Sequence, residues 1–314
     1  MAARTVKYDA LLLLTAAIWG FAFVAQRAGM EHVGPFIFNG IRFALGALVL
    51  LPVIALRHRR SSPTATSTSG APGVAAPTPR GHAWPARAGL IAGLILFAGA
   101  TLQQSGLVFT TAGKAGFITG LYVGIVPVLG LFWRQRASLQ GWIGAVIAVA
   151  GLYLLSVGAR FTIDPGDALV LAGAFAWAAH VLVIAHFIAG VDSLQLAALQ
   201  FGVCSILSLA ASAFFEQTSL PGLRAAAVPL LYSGFLSVGI AYTLQVVAQR
   251  HARPTHAAII LSLEAVFGAI GGTWLLGESL SLRELTGCAL MLAAVVVSQL
   301  GRRDAPEQGE AWMS

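Results

Sequence analysis

PTHAAIILSLEAVFGAIGGTWLLG, residues 254–277, follows Arg253, precedes Glu278 and contains one carboxylate, Glu264, near its middle. As a single α-helix rising about 1.5 Å per residue, it is long enough to cross a hydrocarbon core about 30 Å thick. Glu264 then lies near the midplane, where an ionised carboxylate is expensive and marks a functional position. Residues three and four apart share a helix face, so Ala257, Ile260, Leu261, Phe267, Gly268 and Gly271 lie on the Glu264 side. The glycines and the alanine leave room there for a ligand or a neighbouring helix. A carboxyl in low dielectric favours its neutral form and ionises when water reaches it. Glu264 is therefore a candidate for contacting a substrate and for carrying a proton, the alternative being a carboxyl that only bridges helices.

Working outward, the whole chain has the same character. Of its 314 residues 57% are hydrophobic and 10% charged, against roughly 25% charged in soluble domains. Mean hydropathy is +0.81. A soluble core is excluded and an all-α membrane protein expected. The net charge of +7 does not point to nucleic acid, because the basic residues stand at the ends of apolar runs and not in one patch. The expected partners are the lipid bilayer and a small-molecule substrate. Cys204 and Cys288 both lie within apolar runs and read as packing residues. Residues 1–8 carry no signal-peptide cleavage pattern.

Apolar windows predict ten transmembrane helices, at residues 8–28, 35–56, 88–109, 114–133, 139–158, 165–188, 194–215, 225–249, 254–277 and 281–300. The stretch 57–87 is rich in Ser, Thr, Pro and Ala and reads as a disordered cytoplasmic loop, and 302–314 as a disordered tail. Most Lys and Arg, including Arg57, Arg59, Arg60, Arg250 and Arg253, fall on the side of the N-terminus. That bias places both termini in the cytoplasm. The chain also repeats itself. SLQGWIG at 138–144 and SLRELTG at 281–287 share Ser, Leu and the final Gly, and Trp19 and Trp177 occupy comparable places in the first and sixth spans. Two five-helix repeats follow, at 1–158 and 159–301. An odd number of spans per repeat inverts the second relative to the first, the architecture of many secondary transporters.

Further candidates come from polar and aromatic residues at mid-span. Tyr242, Gln245 and Gln249 share one face of the eighth span, and Gln104 lies beside Gln103 in the third. Such amides line a cavity or tie helices together. Trp19, Tyr122 and Trp177 sit away from the interfacial belts where aromatics concentrate, as walls for a substrate or as packing. His180 is mid-span and too far from His186 in register to form a metal pair. Arg42, within the second span, has three readings: snorkelling, pairing with Glu264, or meeting a substrate carboxylate. Gly116, Gly120 and Gly124 form a small-residue stripe expected to pack closely, and to be a surface on which the repeats slide. No cofactor, metal site or catalytic residue is expected.

At the level of motifs the chain resembles the EamA type of the drug/metabolite transporter superfamily. The resemblance rests on AIWGFAF at 17–23, on Pro35 to Phe43 with Asn39 between, on 102–122, and on Gln245, Gln249, 257–264 and LGE at 276–278. It adds Asn39 to the site candidates. It implies a ten-helix permease of the bacterial inner membrane that moves small metabolites or drugs, often outward, by alternating access. The substrate follows from neither the residues nor the resemblance. The family usually has Pro after the intramembrane Glu, where Ala265 stands here, so a softer helix break is expected in the ninth span. An intramembrane enzyme built on Glu264 and a histidine lacks a nucleophile elbow or phosphate loop. A non-transporting scaffold or receptor has no need of a mid-membrane carboxylate.

Overall fold

The computed structural model describes residues 2–60, 83–133, 137–156, 164–276 and 281–300. Among them there are helices and no strands. The expected tail lies outside these residues, as does most of the expected loop. The loop is shorter at both ends than its composition suggested, because α2 (Pro35–Arg60) continues through 57–60 and α3 (Ala83–Gly106) begins before residue 88.

The remaining helices are α1 (Ala2–Gly29), α4 (Ala112–Gly120), α5 (Tyr122–Phe132), α6 (Leu139–Ser156), α7 (Pro165–Phe187) and α8 (Ser193–Phe215). They are followed by α9 (Leu220–Ala225), α10 (Ala227–Leu231), a π-helical segment (Tyr232–Tyr242) and α11 (Thr243–Gln249). The chain closes with α12 (Pro254–Leu261), α13 (Glu264–Leu276) and α14 (Leu282–Leu300). Eight helical stretches among the described residues are long and apolar enough to cross a membrane; Leu139–Leu155 is a shorter apolar helix. The side chains are distributed as a lipid solvent demands. In α8, Ser205, Ser208 and Ser212 are buried while Ile206 between them is 69% exposed. Polar groups turn inward and apolar ones face outward, the reverse of a water-soluble helix.

Helix breaks shape the centre of the bundle. The stretch 254–277 is not one rod: α12 stops at Leu261 and α13 restarts at Glu264. Over the break, Leu263 N donates to Ile260 O at 3.1 Å, Ala265 N to Ser262 O at 3.2 Å, and Ser262 Oγ to Ile259 O at 2.8 Å. The turn tightens to three-residue bonds, and a serine hydroxyl takes up a carbonyl. The break therefore forms without a proline at 265. The fourth span is interrupted at Leu121, ahead of Pro127. The eighth widens into π-helical turns, whose carbonyls at Ser237 and Ala241 accept from Trp19 Nε1 (3.2 Å) and Thr15 Oγ1 (3.1 Å) of α1.

Helix pairs approach closely where glycine faces backbone. Gly106 on α3 meets Gly166 on α7, and Gly151 on α6 meets Gly287 on α14, with no room for a Cβ at any of the four. The pairs run antiparallel: Gly144 lies by Ala294 and Ser298 while Gly151 lies by Gly287 and Met291. α2 and α8 pack together, as do α1 and the π segment. The expected glycine stripe divides between partners. Gly120 and Gly124 abut Leu152 and Val149 of α6, and Gly116 faces Phe23 of α1.

Another such contact anchors the break. A Cβ on Gly20 would come within 2.6 Å of Glu264 O and 2.7 Å of Gly268 N, whereas one on Gly268 would find its nearest atom, Gly20 O, at 3.5 Å. Gly20→Ala is therefore expected to destabilise the protein by about 1–3 kcal/mol through overpacking. Gly268→Ala is expected to be neutral or stabilising by up to about 1 kcal/mol, because alanine is the better helix former. Thermal unfolding of the two purified variants measures the difference.

Candidate functional site

The breaks in α4/α5, in the eighth span and in α12/α13 surround one cavity of about 40 Å³. Into it the structure brings Glu264, Trp19, Tyr122, Trp177, His180, Tyr242, Gln245 and Arg42 from the residues selected by sequence. Phe23, Gln26, Gln103, Thr119, Val181, Ser237 and Leu261 complete the lining. The second span contributes through Arg42. One water needs about 10–15 Å³, and drug-sized ligands occupy sites of about 300–1,000 Å³. The space therefore suits a few waters, and a larger guest needs the helices to part.

Tyr242 is the hub of the aromatic wall. Its ring lies 4.5 Å from that of Trp19, 6.0 Å from Trp177 and 6.4 Å from His180, with Phe43 at 6.1 Å and Phe201 at 6.0 Å behind it. These distances are those of favourable tilted and edge-to-face pairs. The two tryptophans matched by the internal repeat thus both pack against one tyrosine. His180 Nε2 is 2.8 Å from Gln200 Oε1 of α8, which fixes the imidazole plane.

Gln103 organises the polar wall. Its Oε1 accepts from Trp177 Nε1 at 2.8 Å and from Thr119 Oγ1 at 3.4 Å, and its Nε2 donates to Gln26 Oε1 at 3.1 Å. One amide so joins α1, α3, α4 and α7. Gln104, the neighbour favoured from sequence, turns away from the cavity and donates to Gln26 O at 3.3 Å. The two are adjacent on one helix, so only one can face the centre, and helical spacing alone does not say which. Gln249 also lies outside the lining and bridges to Val181 O at 3.4 Å.

The two ionisable groups Glu264 and Arg42 are both almost wholly withdrawn from solvent. Glu264 is 4% exposed and its Oε1 has no hydrogen-bond partner. Arg42 is 2% exposed; its Nε donates to Asn39 Oδ1 at 2.9 Å, and its Nη2 has no partner. Asn39 itself is outside the lining and holds the arginine from behind. Gln245 Oε1 and the Tyr122 hydroxyl are likewise buried and unpartnered. Groups left without partners in so small a volume are unusual in a core kept only for stability.

Polar clusters tie the helices at both ends. Where α3, α4 and α7 meet, Lys114 Nζ lies 2.5 Å from Asp164 and 3.7 Å from Asp167, and Thr110 Oγ1 donates to Asp167 at 2.6 Å. At the other end His256 of α12 reaches Asp9 of α1 at 3.1 Å and Ser298 of α14 at 2.8 Å, beside a stacked Tyr8–His251 pair. His256 and Asp9 are 247 positions apart, and no local pattern pairs them.

A helical membrane bundle around a buried, polar and aromatic cavity defines a membrane transport protein. The chain belongs to the EamA-like transporter family, whose profile matches residues 6–157 and again 164–299. It is 30% identical over 293 residues to an uncharacterised transporter of Archaeoglobus fulgidus, covering 93% of this chain and 85% of that one. It is 26% identical to the uncharacterised inner membrane transporter YedA of Escherichia coli, over 91% of this chain and 88% of that one. It is 25% identical to a probable amino-acid metabolite efflux pump of Salmonella typhimurium, over 93% and 95%. A crystal structure superposes with a TM-score of 0.73, covering 95% of this chain and 98% of the other at 20% identity.

Replacing Gln103 by Leu strands the buried Trp177 Nε1 and is expected to cost about 1–3 kcal/mol. The same change at Gln104 removes one long hydrogen bond and is expected to cost less than about 1 kcal/mol. Thermal melts of both variants check the ranking.

Proposed function

We propose that the protein is a secondary active transporter that exports small polar metabolites by alternating access, driven by proton exchange at Glu264. The observation that carries this is the Glu264 carboxyl, buried and unpartnered at a helix break in a cavity that both halves of the chain line. A carboxyl so placed binds either a proton or a cationic group of the substrate. Sharing one site makes the two exchange with each other.

Ten spans arranged as two inverted five-helix repeats supply the moving parts. In support, α6 and α14 pack antiparallel and complete ten when added to the eight longer stretches. α2 with α8, and α3 with α7 opposite α1 with the π segment, pack as a two-fold axis in the membrane plane would pair them. The polar clusters at the two ends serve as gates, opened alternately as the halves rock. Positive charge on the N-terminal side puts both termini in the cytoplasm. The E. coli relative's name favours the inner membrane and the Salmonella relative's name favours outward movement.

Proteoliposomes with an imposed pH gradient test the coupling. Glu264→Gln keeps shape and hydrogen bonding while removing the titrating group, and is expected to abolish proton-driven flux with folding intact by thermal melt. Undiminished proton-driven flux in this variant removes Glu264 from the coupling role.

A further inference from the structure

We propose that Arg42 is the anchor for a substrate carboxylate, and that with Glu264 it selects zwitterions, molecules carrying a carboxylate and an ammonium together. The proposal rests on the transporter reading for its cavity and adds the charge pattern of the guest.

The guanidinium is permanently charged and carries donors in a planar fork suited to carboxylates. Asn39 Oδ1, three residues earlier on α2, accepts from Nε at 2.9 Å. The ring centroids of Phe43 and Phe38 lie 4.9 Å and 5.8 Å from Cζ. One edge of the fork is thus fixed by an amide and the cation is bounded by two phenyl rings, while Nη2 is buried without a partner. Among the described residues no carboxylate lies within ion-pair distance of Arg42. A desolvated cation with no counter-charge is costly, and a bound carboxylate is what relieves it.

Glu264 presents the complementary need. Its Oε1 is also buried and unpartnered, it lines the same cavity, and no ion pair joins it to Arg42. Had the two charges been meant only to stabilise the bundle, they would be expected to pair with each other. Trp19, Trp177 and Tyr242 provide aromatic surface suited to an ammonium group. A simple amine leaves Arg42 uncompensated, and a simple acid leaves Glu264 to its proton with no ammonium to exchange for it. A zwitterion satisfies both at once.

The test reads binding separately from flux. The purified protein is melted in the presence of each of the proteinogenic L-amino acids. The most stabilising one is then compared with its decarboxylated amine and its N-acetyl derivative. The amino acid is expected to raise the melting temperature, and both analogues to bind at least about tenfold more weakly. Arg42→Gln is expected to weaken the amino acid about 100-fold while leaving the amine unchanged. Arg42→Lys, which keeps the charge, and Asn39→Ala, which frees the fork, should lose part of the affinity for the amino acid and none for the amine. This split is one that a purely structural role does not produce, and it holds even where Arg42→Gln fails to fold. The proposal is overturned if no amino acid stabilises the protein, if the amine binds as tightly as its parent, or if the Arg42 and Asn39 variants bind the amino acid like the native chain. An amino acid that binds through Arg42 yet is not carried across proteoliposomes upholds this assignment and refutes the transporter reading.

Discussion

The break between Leu261 and Glu264 is the constraint on which the rest of the structure depends. A continuous helix would satisfy its own backbone and present Glu264 at whatever angle its register dictates. Interrupting it makes Glu264 the first residue of a new half-helix, at the positive end of that helix's dipole. The break is fixed from outside by α1, whose Gly20 lies so close to Glu264 O and Gly268 N that a side chain there has nowhere to go. One crossing thus sets the depth and direction of the carboxyl. The cavity walls follow from it: Trp19 is one residue from Gly20, and its indole reaches the π-helical turns of the eighth span. Packing and chemistry meet in a single turn of α1.

Around that point the chain departs from ideal helix in several places, and the departures concern the same volume. Leu121 interrupts the fourth span just before Tyr122, the π turns carry Ser237 and Tyr242, and the ninth span parts before Glu264. Irregular backbone at membrane depth is tolerated only where it is buried in protein or lines a cavity. Each irregularity also gives a segment a place to bend. The polar clusters at the ends, Lys114 with Asp164 and Asp167, and His256 with Asp9, cross between the two halves of the chain, which the proposed rocking motion would separate. Ion pairs and single hydrogen bonds suit such a task, being worth little enough to break on each cycle.

Much of this was legible in the sequence because a membrane imposes simple rules. Apolar runs gave the helices, and a carboxylate inside one gave Glu264. Trp19, Trp177, Tyr242, Gln245 and Arg42 stood out as polar or aromatic groups away from the interfaces. What did not read out was rotation and distant pairing. Gln103 and Gln104 are equally apolar-flanked neighbours, and only the packing of α3 against α7 decides which one faces Trp177. The π-helical turns contain no proline of their own, and Pro229 just ahead of them does not by itself distinguish widened turns from a kink. The break before Glu264 occurs without the residue expected to cause it, because a serine hydroxyl and the approach of α1 achieve the same end. His256 was passed over because its partners come from opposite ends of the chain.

The central claim is that the cavity beside Glu264 is reached by water from each side of the membrane in turn. The most direct measurement places a cysteine at Ser237, on the cavity wall, in a chain whose Cys204 and Cys288 are replaced by serine. A small membrane-impermeant thiol reagent is then applied to one face at a time in vesicles of known orientation. Modification from both faces is the predicted result. Modification from one face only, or from neither while the protein remains folded, contradicts it.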